Sequence, residues 1–141
     1  MANTNAGASS AVTANNHSLL TSQAKRLIGK ALAVNLNLTG DTVVPVLCSA
    51  TWAPIDCIVT NASVSMTTAH ISVYPQPGAA GTAIVSDVGL TANSAATVVN
   101  QLTINTSATQ TIQNFYVRCG TAQGAAATAD VYLFGYDFTQ P

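Results

Sequence analysis

The stretch LAVNLNLTGDTVVPV, Leu32 to Val46, alternates apolar and polar residues up to a Thr-Gly-Asp turn and then resumes as an apolar run. Side chains of an extended strand point alternately to opposite faces, so Leu32, Val34, Leu36 and Leu38 fall on one face and Ala33, Asn35 and Asn37 on the other. Burying the apolar face stabilises by roughly 1.5 to 3 kcal/mol per side chain, which marks a half-buried strand. Thr39-Gly40-Asp41 reads as a turn. Thr42 to Leu47 follows as a second strand, which Pro45 places near a sheet edge because proline cannot donate to a ladder.

Outward from this pair, further strands are expected at near-regular spacing: Ile55 to Ser63, His70 to Tyr74, Thr82 to Val85, Thr97 to Ile104, Phe115 to Gly120 and Asp130 to Phe138. Turn-like segments rich in Gly, Ala, Ser, Asn and Pro separate them. With no helical periodicity after residue 31, the chain is predicted to be all-β, an antiparallel β-sandwich of jelly-roll type.

Composition agrees with a folded domain. The chain has 141 residues, long enough to bury a real core without disulfide staples. It is 48% hydrophobic and 6% charged, with no Glu at all, whereas an ordinary soluble domain is about 25% charged. Disordered chains combine low hydrophobicity with high net charge, and a mean hydropathy of +0.34 with a net charge of -1 is neither. Net charge near zero promotes association, so this surface suits a chain that works inside an assembly.

The N-terminal region reads differently. Apart from Met1 and His17, residues 1–18 are Ala, Asn, Ser, Gly and Thr with Val12 as the one branched aliphatic side chain, so alone they are expected to stay disordered. Ser22 can cap a short helix from Gln23 to Lys30, with Leu27, Ile28 and Ala31 on one face and Gly29 limiting its length. The expected division is therefore an arm, 1–30, and a sandwich, 31–141. Lys25, Arg26 and Lys30 make the arm basic, while the body carries Arg118 against Asp41, Asp56, Asp87, Asp130 and Asp137. The cations are either a solvated turn or a contact with an acidic protein partner, in which Leu27 and Ile28 carry more of the binding than the charges do. No basic stripe with interleaved aromatics crosses the domain, so nucleic acid is not an expected partner. Residues 1–18 show neither a basic nor an apolar signal region, and no apolar run is long enough to span a membrane, so a cytoplasmic chain is expected.

Candidates for chemistry are sparse. The imidazoles are His17, in the arm, and His70, at a strand start. Asp56 or Asp137 could meet His70 in three dimensions, but no nucleophile elbow or phosphate-binding loop accompanies them, and a surface strand residue is the preferred reading of His70. The chain is expected to be no enzyme and to need no cofactor or metal. Cys48, Cys57 and Cys119 lack metal-ligand spacing and are expected as buried, reduced thiols. Tyr132, Phe134, Tyr136 and Phe138 alternate along the last strand, opposite Val131, Leu133 and Gly135. This stripe is core, an interface with a neighbouring subunit at Tyr132, Phe134 and Tyr136, or a sugar-stacking platform, in descending order of preference.

The segments VNLNLTGDTVVPV, CIVTNASVSMTTAHISVY, GTAIV and GTAQGAAATADVYLFGYDF together resemble a group of small tailed-phage structural proteins, the capsid decoration or cement proteins with jelly-roll sandwiches. The resemblance runs from Ala31 to Phe138. It implies a structural virion protein on the outer capsid surface, made in the host cytoplasm, with the major capsid protein and further copies of itself, as a homotrimer, for partners. It carries no active-site residues. The alternatives are a tail or receptor-binding accessory module and, less favoured, a carbohydrate-binding domain on the same fold.

Overall fold

The computed structural model describes residues 25–48 and 50–138 of the chain. Eight strands run in sequence order: β1 Arg26–Asn35, β2 Gly40–Pro45, β3 Trp52–Thr60, β4 His70–Tyr74, β5 Val85–Gly89, β6 Asn100–Leu102, β7 Asn114–Thr121 and β8 Thr128–Asp137. They form two four-stranded sheets, sheet I in the order β1-β8-β3-β6 and sheet II in the order β2-β7-β4-β5. All pairings are antiparallel, and β1 pairs with β8, β2 with β7, β3 with β6 and β4 with β5. The chain is thus one long hairpin rolled into an antiparallel β-sandwich. Pro45 ends β2, an edge strand of sheet II, as its missing donor requires.

The core lies between the sheets. Trp52 and Phe115 fill its centre with ring centroids 6.3 Å apart, and the Trp52 indole donates to the Ile112 carbonyl at 3.1 Å, which satisfies its only polar atom. Ile28, Leu36, Ile71, Leu90 and Leu133 pack around them. The three thiols are buried and free, and burial pushes Cys57 up to about 12, so it stays protonated.

Three expectations from sequence are corrected here. The expected helix over 23–30 is not formed where the chain is described, because Arg26 to Lys30 belong to β1; residues 23 and 24, Ser22 and the rest of the arm lie outside the described residues. The sandwich therefore begins at Arg26, not residue 31. Tertiary pairing with β8 overrides a weak local helix signal, and Gly29, a poor helix former, is used as a strand residue whose missing side chain admits the Phe115 ring: a Cβ there would lie 2.6 Å from it.

The second correction concerns the opening stretch. Val34 and Leu36 point into the core as expected, but Leu32 is 55% exposed and Leu38, in the turn, 66%. A register shift between Ala31 and Val34 inserts one extra residue opposite β8. Ala33 takes a left-handed φ of 53° there, and its N–H donates to Asp130 Oδ1 at 2.7 Å, while the Asn61 amide donates to Asp130 Oδ2 at 3.0 Å. This bulge turns Leu32 outward and resets the alternation at Val34.

The third correction concerns β8. Val131, Leu133 and Gly135 are its buried side, so Tyr132, Phe134 and Tyr136 are half-buried on the outer face of sheet I and are no part of the core.

Candidate interaction surface

β8 lies between β1 and β3, so its outward rings are flanked by both neighbours. The register sets Leu27 of β1 opposite Phe134, and Lys30 opposite Tyr132, whose other neighbour is Ile58 of β3. Leu27 and Ile58 are, like the rings, half-buried. At the far end the Tyr136 and Phe138 rings sit side by side, centroids 6.5 Å apart and planes inclined by 33°, with Phe138 55% exposed. The strand ladder thereby joins two groups of residues that lie about a hundred positions apart in sequence into one aromatic strip, bordered by Lys30 on β1 and by Asp56, which stands opposite Phe134 on β3. Sequence reasoning had kept them as separate sites.

Ile28 does not belong to this surface. It is 0% exposed, because it shares the inner side of β1 with Ala31, and so cannot touch a partner. Lys25 and Arg26 are also committed within the chain. Lys25 Nζ lies 3.0 Å from Asp56 Oδ2, and Gln101 Nε2 donates to Asp56 Oδ1 at 2.8 Å. Burial raises the Asp56 carboxyl, but these hydrogen bonds and the Lys25 charge outweigh it and leave the group below the ordinary value. Arg26 Nη1 lies 2.9 Å from Asp137 Oδ2. Of the expected basic cluster, Lys30 alone is exposed without a carboxylate partner among the described residues.

The carboxylates considered for His70 thus serve cations instead. His70 pairs with Asp87, Nδ1 to Oδ2 at 2.8 Å, on the outer side of sheet II, and is half exposed at the start of β4. Among the described residues no hydroxyl or thiol bonds the His70 ring, and no group of three or more His, Cys, Asp or Glu could hold a metal ion. No described helix is long and apolar enough to cross a membrane.

The partners of Asp56, Lys25 on one oxygen and Gln101 on the other, escaped sequence reasoning. No local motif links residues 31 or 45 positions apart, so only a correct strand pairing could have exposed them. The outward placement of Leu32 had a faint signal in the charge of Asp130, a polar residue at a phase where β8 is otherwise apolar.

Comparison with known proteins gave no matching family model, no similar curated protein and no similar solved structure.

Proposed function

We propose that this chain is a non-catalytic structural protein that attaches to the outside of a phage head as a decoration or cement protein, with the major capsid protein as its partner. The observation that carries this reading is the outer face of sheet I, where Leu27, Phe134, Tyr136 and Phe138 present an apolar, aromatic strip bordered by the paired Lys25 and Asp56 and by the exposed Lys30. Rings with partly exposed faces gain most from a partner that desolvates them. Attachment runs through this face, so the sandwich contributes directly to binding. The sequence resemblance supports the virion location, and the strand orders 1-8-3-6 and 2-7-4-5 support the jelly-roll form that it implies. Low charge suits a protein that acts through many weak copies fixed by symmetry, where multivalency supplies occupancy.

The experiment is co-sedimentation with preassembled, undecorated heads, followed by a heat challenge of the heads. Bound protein that raises head resistance, and loses binding when Phe134→Ser and Tyr136→Ser are introduced into a chain that still folds, is the expected result. Undiminished binding by that folded variant, or no binding by the unaltered chain, contradicts the proposal. The neighbouring Tyr136 and Phe138 rings favour a second reading, a glycan-stacking platform, for which retention on a polysaccharide column and no effect on heads is the distinguishing outcome.

A further inference from the structure

Lys30 stands on the outer side of sheet I with no carboxylate partner among the described residues. The strand register arranges that side in rows across β1, β8 and β3: one reads Lys30, Tyr132, Ile58, and the next Leu27, Phe134, Asp56. Along β1, Lys30 and Leu32 flank the buried Ala31 and both point away from the core. The neighbours of the Lys30 side chain on this face are therefore Leu27, Leu32 and Tyr132, which bring no negative charge.

The carboxylates of sheet I are committed elsewhere. Asp56 lies two strands from Lys30, about 10 Å at the usual spacing of paired strands, and its oxygens are taken by Lys25 at 3.0 Å and Gln101 at 2.8 Å. Asp130 is buried and accepts from the Ala33 N–H at 2.7 Å and the Asn61 amide at 3.0 Å. Asp137 holds Arg26 at 2.9 Å at the far end of β8. In the free protein water solvates the Lys30 ammonium. A partner that covers Leu27, Tyr132 and Phe134 takes that ammonium out of water with them, and a buried charge left unpaired opposes binding more strongly than the apolar contact around it favours it.

We propose that the partner that covers this face presents a carboxylate to Lys30, set among apolar side chains that meet Leu27, Leu32 and Phe134. Lys30 then fixes the orientation of the contact and selects the partner, while the rings supply most of the affinity. A surface with a cation at that place is rejected by like charge. The inference rests on the attachment reading above and adds the chemistry of the surface that is met: mostly apolar, with an Asp or Glu at the border where β1 docks.

The test is binding of the full chain to preassembled, undecorated heads over a range of salt concentrations, with thermal melts to show that each variant folds. Lys30→Gln should weaken binding by about tenfold or more and Lys30→Glu further still, whereas Lys30→Arg should retain it to within about threefold. Salt should weaken the unaltered chain and affect Lys30→Gln less. Arg118→Gln removes the same charge from sheet II, where Arg118 pairs with Asp41, and should change binding by no more than about twofold. Carbodiimide coupling of the bound chain, which joins an ammonium to a carboxylate in contact with it, should link Lys30 to an Asp or Glu of the head, as read by peptide mass spectrometry. Lys30→Gln that binds as tightly as the unaltered chain or more tightly, an equal loss in Arg118→Gln, or a bound chain whose Lys30 forms no such link overturns the proposal, even where Phe134→Ser with Tyr136→Ser still abolishes binding and the attachment reading stands. Undiminished binding by that folded ring variant, or none by the unaltered chain, overturns both. Retention on a polyuronate column that Lys30→Gln abolishes, without binding to heads, also overturns it and assigns Lys30 to an acidic glycan.

Discussion

Arg26 and Asp137 stand 111 positions apart in sequence and 2.9 Å apart in the fold, joining the first residue of β1 to the last of β8. The Asp137 side chain is 2% exposed and that of Arg26 39%, so the guanidinium caps a carboxylate that water hardly reaches. Removing a cation from a buried carboxylate costs more than the pair itself contributes, because the charge left behind is poorly solvated. Arg26→Ala should therefore destabilise the fold by about 1 to 3 kcal/mol, below the range for a wholly buried pair because the arginine is partly in water. Urea denaturation measures this, and a loss no larger than that of an ordinary surface substitution would show that the pair does not anchor β1.

The bulge at Ala33 makes two neighbouring leucines unequal. Leu36→Ala empties a site that is 1% exposed and should cost about 2 to 5 kcal/mol. Leu32→Ala alters a side chain already in solvent and should change the stability of the monomer by no more than about 0.5 kcal/mol. Equal losses in chemical denaturation would mean that the alternation runs unbroken from Leu32 to Leu36.

Acid should weaken the fold through identifiable carboxyls. A backbone hydrogen bond from Gly78, chiefly, and the Arg118 side chain hold Asp41 below its usual value, while at Asp56 burial acts upward and the Lys25 and Gln101 contacts prevail. Both groups bind protons less readily folded than unfolded, so their stabilisation is complete above the unfolded value of 3.8 and is lost as pH falls through the lower folded values. Denaturation midpoints should drop on acidification below about pH 4, and Asp41→Asn and Asp56→Asn should each flatten that decline. An unchanged slope in both variants would assign the acid sensitivity to other groups.

Cys57 is fully buried, and its thiol is held protonated by burial first and by the Asp56 charge second. The thiolate is the reactive species, so alkylation of the native protein at mildly alkaline pH should leave Cys57 unlabelled, with all three cysteines labelled after denaturation. Mass spectrometry of the peptides reads both states. Rapid native labelling of Cys57 would mean that β3 opens far more readily than its packing implies.

Gly135 is tied to its neighbours by contact. A Cβ there would collide with the Ala53 carbonyl on β3 and crowd Ile28 on β1 at 3.2 Å. The obstacle is backbone and cannot swing aside, so Gly135→Ala should destabilise by about 1 to 3 kcal/mol or more. A melting temperature equal to that of the unaltered chain would contradict the close approach of β3 and β8.

Local sequence determined much of this protein. Alternation and turn residues were enough for an all-β chain, and they located β4 to the residue and most other strands to within a few positions. Pro45 announced an edge, and strand-like surroundings announced buried thiols. These features were legible because each depends on properties of neighbouring residues: the period of two, the proline donor and the local hydropathy. What only the tertiary structure decided depends on which strand lies beside which. β1 starts at Arg26 and not after a helix, because β8 supplies a ladder stronger than the helix propensity of five residues. The stripe from Tyr132 to Phe138 faces outward although its residues are larger than those opposite. Alternation defines two faces, and where both are apolar it leaves the choice of the inner one to packing: Val131, Leu133 and Gly135 fit between the sheets beside Ile28 and Ala53, and the rings are left outside. The ion pairs of Lys25 and Arg26, and the pairing of His70 with Asp87, follow from the same strand order, because a carboxylate's nearest cation is set by register across the sheets and not by distance along the chain.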